Sequence, residues 1–538
     1  MEQGARSKEN TKAKGEEQEQ EAESEATGRF FPRRRSFRTT AGDVLTVRAL
    51  GAKDERTGTS KDLMTKNLRA FLQQLESQPQ PELVRVEKIV APAQFEVTAL
   101  LQHLENRKKF PGLLFEKPLN LHGEPSKFPL LSNLFASRRR CALALDMNPD
   151  GAGLALSLEY ARREEKLISP VSVSSAEAPV KEVVKLGENA DLYEFPIVRH
   201  HAMDPGPYID MTPVMKDPDE GFYNLAFLRN MVKGPRKLGI HMSPRHNWQI
   251  HRKNEEKNRA TPVAIVVSHH PAFYLGALNV SPFGVNDYAR IGAIMGAPLR
   301  LVPSETWGSD FMVPADAEIV IEGHVLPNVS EVEAPFGEFT GYYGPQRLRP
   351  VIEVTAITHR RDAIFQHIFV GHRDNWVLGG LPKEGSLFNL IRGIVPTVQA
   401  VHFPISGCCR FNCYISVDKK IDGETKQAAL AALAGCDFVK HVVVVDADID
   451  VYDEEQVVWA VATRVQADQD VDIIRNAKGN TLDPSQTDDI MTAKMIIDAT
   501  RPKQRPFAAR VEVPKEAMSK TRLEDFIPPQ ALDRMPKI

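Results

Sequence analysis

Between about Pro179 and Thr358 the chain is written in short apolar runs, PVAIVVSHH, PLRLVPSE, AEIVIEGHV and PVIEVTAITHR, broken by Pro and Gly. Runs of this length, rich in Val and Ile and bounded by turn formers, are strands, so the middle of the chain must be a mostly β domain. One helix is expected to interrupt it, at DYARIGAIM, where Ile291, Ile294 and Met295 supply a buried stripe. The texture changes on both sides. Upstream, SKDLMTKNLRAFLQQLES places Leu68, Phe71, Leu72 and Leu75 at helical spacing, with Ser60 as a possible N-cap. LVRVEKIV and PGLLFE then read as strands around a second helix near Gln94 to Asn106, which makes this part mixed α/β. Downstream, the helix TKQAALAALAG, the buried strand KHVVVVD and the segment EEQVVWAVATRV alternate as in a parallel or mixed sheet.

A chain of 538 residues exceeds what one core usually holds, ~250 to 300 residues, so these textures are separate domains. The expected division is a disordered extension at 1–42, an N-terminal α/β domain at 43–178, a central β domain at 179–365, a C-terminal α/β domain at 366–515 and a tail at 516–538. The extension has eight Glu before Arg29 and no aromatic before Phe30, too little apolar surface to offset its ordering entropy. Its acids precede its Arg cluster, against a transit peptide. No apolar run approaches the ~18 residues of a spanning helix, and five cysteines without a second cluster favour reduced thiols, so a soluble cytoplasmic protein is expected. A net charge of -3 steers the protein toward neither nucleic acid nor anionic membrane, which leaves a small molecule as the default partner. Neither GxGxxG nor GxxxxGK[ST] occurs, so the common nucleotide folds are disfavoured.

Three segments carry candidate chemistry. In EVEAPFGEFTGYYG, Pro335 and Gly337 break regular structure between Glu333 and Glu338, so a bend can aim both acids into one cavity. Two carboxyls sharing an apolar pocket have one pKa pushed upward, which suits a proton donor near neutral pH; the competing reading is an ordinary turn with solvated acids. YNLAFLRNMVKGPRKLGIHMSPRHNWQIH offers Asn224, Arg229, His241, His246 and His251, groups able to hold a hard divalent cation or clamp a carboxylate, although such histidines also serve as core residues. On a flat strand Asn224 and Arg229 face opposite sides, so joint use needs a bulge or a wide ligand. In SPFGVNDYARIGAIMG, Asn286 or Asp287 precedes a helix, where either residue is a favoured cap. The acids Asp446, Asp448, Asp450 and Asp453 lack the Gly and closing Glu of a calcium loop and read as the edge of a structural βα unit.

Taken together, NLAFLR, SPRHNWQIH, GVNDYARIGAIMG, VEAPFGEFTGYYG, DADIDVYDEEQVVWAVATR and TAKMIIDATRP resemble the UbiD family of decarboxylases, which use prenylated FMN. The match covers roughly Asp43 to Pro514. The resemblance implies a split β-barrel for the central flavin-binding domain and a C-terminal domain that builds a homodimer or larger homo-oligomer. It implies Arg229, Glu333 and Glu338 as the catalytic network, with both acids presented to the substrate, Glu338 as proton donor and Glu333 tied to Arg229. It further implies that Asn224, His246 and Asp287 hold Mn²⁺ or Mg²⁺ on the cofactor phosphate with K⁺ nearby, and that a flavin prenyltransferase supplies the cofactor. Asp287 departs from the Glu usual at that position. The reaction implied is reversible, non-oxidative decarboxylation of an aromatic, heteroaromatic or α,β-unsaturated acid. The alternatives are a metal-dependent hydrolase built on Asn224, His246 and Asp287, and a non-catalytic assembly subunit of the same fold.

Overall fold

The structure, a computed structural model, describes residues 66–486 and 491–535. The extension expected over 1–42 and the proposed cap Ser60 lie outside these. The first helix runs Leu68–Glu76 and buries Leu68, Phe71, Leu72 and Leu75, as their spacing requires. Its cap is Asn67, whose side chain accepts from the Ala70 N–H at 3.0 Å. The strands Leu83–Val86 and Gly112–Phe115 pair in parallel, with helix Glu96–Asn106 between them in sequence, and Leu130–Ser132 continues the sheet. A fourth strand, Phe365–Gln366, arrives from the far side of the β region and pairs with Leu130 and Leu131. The chain therefore returns to its first sheet before entering its last.

Six strands close a barrel in the middle of the chain. Around it run Thr261–Val267, Ile319–Glu333, Arg347–His359, Lys237–Ile240, Leu228–Gly234 and Tyr208–Lys216, which pairs back onto Thr261–Val267. Every neighbouring pair is antiparallel, and closure leaves no strand edge open. The run PLRLVPSE forms a strand, Arg300–Ser304, outside the barrel, paired with Gly308–Pro314 and Val171–Ser172. Three helices interrupt this region instead of the one expected: His246–Glu255, Pro271–Ala277 and Asp287–Met295. The first escapes a hydrophobic pattern because its buried side chains, Asn247, Ile250, His251 and Asn254, are mostly polar. The second has seven residues, too few to display a helical period.

The last sheet has five strands in the order Val398–His402, Asn412–Val417, His441–Asp446, Met491–Ala499 and Val471–Lys478, parallel at its centre and antiparallel at both ends. Asp453 caps helix Glu454–Arg464, while Asp446 and Asp448 pair with Arg464 at 2.7 and 3.0 Å, which makes the acidic run structural. The 20-residue helix Arg373–Arg392 joins two cores: Leu378 and Leu381 pack with the barrel's core, Leu387 and Ile391 with that of the last sheet. Midway along it, Glu384 accepts two hydrogen bonds from Arg138, both at 3.0 Å, and sits 2.7 Å from His402 Nδ1. That clamp fixes one wall of the cavity described next. All five cysteines are free, and no helix of the described residues is long and apolar enough to cross a membrane.

Candidate active site

The register of two barrel strands sets the first group. Leu228–Gly234 runs antiparallel to Tyr208–Lys216 and places Arg229 opposite Asp210. The strand Ile319–Glu333 ends on Glu333, and the chain then turns through Ala334, at φ 75°, and a cis peptide to Pro335. Phe336–Gly337 next pairs with Tyr343–Gly344, a small hairpin in which the Glu338 N–H donates to the Tyr342 carbonyl at 2.9 Å. A Cβ at Gly344 would sit 2.9 Å from Glu338 Oε1, so glycine is what lets the facing strand lie against that carboxylate.

Arg229 joins the two acids. Its Nε and Nη2 donate to the two Glu333 oxygens at 2.9 Å each, and its Nη1 forms an ion pair with Glu338. The Phe336 ring centroid lies 5.0 Å from the guanidinium carbon. Such a planar bidentate pair suits guanidinium geometry, and breaking a buried pair by removing one partner costs about 3–5 kcal/mol. The two carboxylates do not share an environment. Glu338 and Arg229 line a cavity of about 1020 Å³, whereas Glu333 is 0% exposed and sits behind the arginine. The expectation that the bend presents both acids to a substrate is thus corrected: Glu333 ends a barrel strand inside the core, and only Glu338, on the hairpin, reaches the cavity.

A second group lines the same cavity. Asn224 Oδ1 lies 3.1 Å from His246 Nδ1, while its Nδ2 donates to Asn247 Oδ1 at 2.6 Å. Asp287 Oδ2 accepts from the Leu225 N–H at 2.8 Å, one residue along from Asn224. Asn286, not Asp287, caps the helix, by accepting from the Tyr288 N–H at 3.1 Å. Asp287 is left as the first helical residue, and burial pushes its carboxyl up to about 7. Burial also lowers the His246 pKa, with the Arg245 charge adding to it. An amide oxygen, a neutral imidazole and a carboxylate form a donor set suited to Mn²⁺ or Mg²⁺, and the cavity has room for a flavin.

Asn224 stands opposite Met215 and Arg229 opposite Asp210 in the same register, with the strand pairing interrupted at Ala226–Phe227, and both residues line the cavity, so no bulge is present and a wide ligand in the cavity can touch both. Of the other histidines considered, His241 lines the cavity, whereas His251 packs in its helix with Nδ1 3.0 Å from Thr261 Oγ1. Sequence reasoning missed Asp210, whose pKa burial raises well above the carboxylate range while Arg229 opposes the shift. Its signal was an acid inside the apolar strand YIDMTPV. It also missed Lys383, midway along helix Arg373–Arg392, and Arg410, in the turn before strand Asn412–Val417, both of which line the cavity.

Three family models match in sequence order: the 3-octaprenyl-4-hydroxybenzoate carboxy-lyase N-terminal domain over residues 73–157, its Rift-related domain over 171–373 and its C-terminal domain over 376–499. The anhydromevalonate phosphate decarboxylase of Methanothermobacter thermautotrophicus is 35% identical over 379 residues, 70% of this chain and 86% of that protein. The phenolic acid decarboxylase of Sedimentibacter hydroxybenzoicus is 33% identical over 451 residues, 81% of this chain and 92% of its own length. Among solved structures, the UbiD-class enzyme HmfF from Pelotomaculum thermopropionicum in complex with FMN superposes with a TM-score of 0.77 at 40% identity, covering 86% of this chain and 100% of that one. An evolved dimeric form of the same enzyme, in complex with prFMN, gives 0.76 at 38% identity and the same coverage, 86% and 100%.

Proposed function

The chain belongs to the UbiD family of carboxy-lyases, and from that premise we propose that it reversibly and non-oxidatively decarboxylates an aromatic, heteroaromatic or α,β-unsaturated acid with prenylated FMN as cofactor. The observation that carries this reading is Arg229 held between Glu333, which anchors it at 2.9 Å through two bonds, and Glu338, which opens on the cavity. Arg229 orients an incoming carboxylate, and Glu333 keeps the guanidinium fixed and its charge balanced. Glu338 delivers the proton that replaces CO₂ on the substrate carbon, and takes it up in the carboxylation direction. Asn224, His246 and Asp287 would hold the divalent ion that carries the cofactor phosphate, with a monovalent cation such as K⁺ beside it. When bound, the flavin would supply the electron-accepting chemistry that loss of CO₂ requires and that no side chain in this cavity provides alone. A flavin prenyltransferase is the partner that makes the cofactor, and the dimeric neighbour supports a homo-oligomeric assembly.

The test is coexpression with a flavin prenyltransferase, followed by an absorption spectrum and by exchange of ¹³CO₂ into the carboxyl groups of an acid panel. A flavin-type visible band together with ¹³C incorporation supports the proposal. Colourless protein that exchanges nothing, or hydrolysis with added Mn²⁺ and no flavin, would overturn it.

A further inference from the structure

Glu338 belongs to a hairpin with little structure of its own. Its two strands, Phe336–Gly337 and Tyr343–Gly344, have two residues each, and Tyr342 near its tip is 64% exposed. A lone two-stranded ribbon is at best marginally stable in water, so this one needs outside support to keep a proton donor in place.

Two distant segments supply that support, one on each side of Glu338. On the first side, the Gly337 N–H donates to Asp204 Oδ1 at 3.1 Å, and the other Asp204 oxygen accepts from the His201 N–H at 2.8 Å. The same short segment presses the His201 imidazole onto Gly337, where a Cβ would overlap it, and its Met203 N–H donates to the Tyr343 hydroxyl at 3.1 Å. On the second side, the Trp376 indole N–H, from helix Arg373–Arg392, donates to the Phe339 carbonyl at 2.6 Å. A Cβ at Gly371 would sit 2.8 Å from the Glu338 carbonyl oxygen, so the chain entering that helix passes directly over the backbone of the acid. Asp204 is fully buried; burial alone would raise its carboxyl pKa, but the His201 side chain, the nearby His200 and the two N–H groups outweigh it and hold the pKa below its ordinary value. Neither Asp204 nor Trp376 lines the cavity, and no role assigned above uses either. Both grip main-chain atoms next to Glu338, which fixes where its Cα stands and leaves its side chain to Arg229.

We propose that Asp204 and Trp376 are positioning residues for Glu338: the two hydrogen bonds that flank it hold its carboxyl against Arg229, in the place from which it delivers its proton. The inference rests on the proton-donor role of Glu338 in the decarboxylase reading. Misplacing a reacting group by about 1 Å costs on the order of 10²-fold in rate, so a hairpin released on one side should show in turnover well before it shows in binding.

The experiment uses flavin-loaded, full-length protein: wild type, D204A, D204N, W376F, E338Q and the double variants D204A/E338Q and W376F/E338Q. It measures kcat, KM and exchange of the product's hydrogen with deuterated water, on an acid that the wild type decarboxylates. D204A and W376F should each lose roughly 10- to 100-fold in kcat and in exchange, with KM and flavin occupancy within about 3-fold of wild type. D204N, which keeps an acceptor oxygen for the Gly337 N–H, should recover most of the D204A loss. Once Glu338 has no proton to give, the two bonds have nothing to position, so each double variant should be no more than about 2-fold slower than E338Q alone. Losses that multiply with that of E338Q, or an unchanged kcat in D204A or W376F, overturn the proposal, as does a fall in flavin occupancy that accounts for the lost rate. If D204A does not fold, W376F and its double variant decide on the same criteria. A flavin-loaded wild type that decarboxylates no acid and exchanges no hydrogen overturns the decarboxylase reading and this proposal with it; an active wild type whose variants lose rate independently of Glu338 overturns the positioning alone.

Discussion

Replacing Glu338 by Gln isolates the proton from the rest of the site. The amide keeps the size of the side chain and one acceptor oxygen but carries no acidic proton. Arg229 retains both 2.9 Å bonds to Glu333, so the buried cation stays paired and only its Nη1 contact loses a charge. One charge-assisted contact is worth about 1.5–3 kcal/mol, which bounds the effect on folding. The effect on turnover is of another size. General acid–base groups contribute ~10² to 10⁴-fold, or about 2.7–5.5 kcal/mol of barrier, and E338Q should lose rate in that range while keeping its flavin. The decisive assay is exchange of the product's ring or vinyl hydrogen with deuterated water, followed by NMR, because it needs proton delivery without net release of CO₂. Wild type should exchange, and E338Q should fall in exchange and in turnover together. Equal exchange by both proteins would refute the assignment. The next donor to test would be Asp210, which lines the cavity opposite Arg229 and which burial holds protonated well above the usual carboxylate range.

Glu333→Gln should behave differently: it strips the charge from the bidentate partner of a buried arginine, so about 3–5 kcal/mol of stability should go with it, and the thermal midpoint should fall well below that of E338Q. His246→Ala and Asp287→Ala should purify with little flavin or manganese, read by absorbance and elemental analysis, while Asp287→Glu should keep both. Glu384 is held at a pKa of about 2, against the usual 4.5, by the Arg138 charge and by His402, which together outweigh burial. Because its folded pKa is depressed, its contribution is fully present above about pH 4.5 and is lost as pH falls toward 2, on the order of 3 kcal/mol in all. E384Q should therefore show a flatter decline of thermal midpoint between pH 6 and pH 3 than wild type, and parallel declines would remove the clamp from the acid sensitivity of the fold.

Elements with a strong period were legible from the sequence: the helix at Leu68, the strand KHVVVVD, the β texture of the middle region and the helix at DYARIGAIM. Each is written by its own burial pattern, so local composition sufficed. The helix His246–Glu255 was not, because its inward positions are polar and are satisfied only by neighbours such as Thr261 that folding brings to it. The same division runs through the site. Motif order was enough to single out Arg229, Glu333, Glu338, Asn224, His246 and Asp287, and a bend between the two glutamates follows from Pro335 and Gly337. Which glutamate faces the cavity was decided by the barrel, where Ile319–Glu333 ends in the core and the hairpin after it does not. Asp210 was marked only as an acid inside an apolar strand, and Lys383 and Arg410 had no mark of their own, since a charge in such a segment looks alike whether it points at a cavity or at a salt bridge. The sequence determined what each segment could be from short-range periodicity; the tertiary structure decided which side chains share a desolvated space, because burial and charge pairing depend on residues that the chain keeps a hundred or more positions apart.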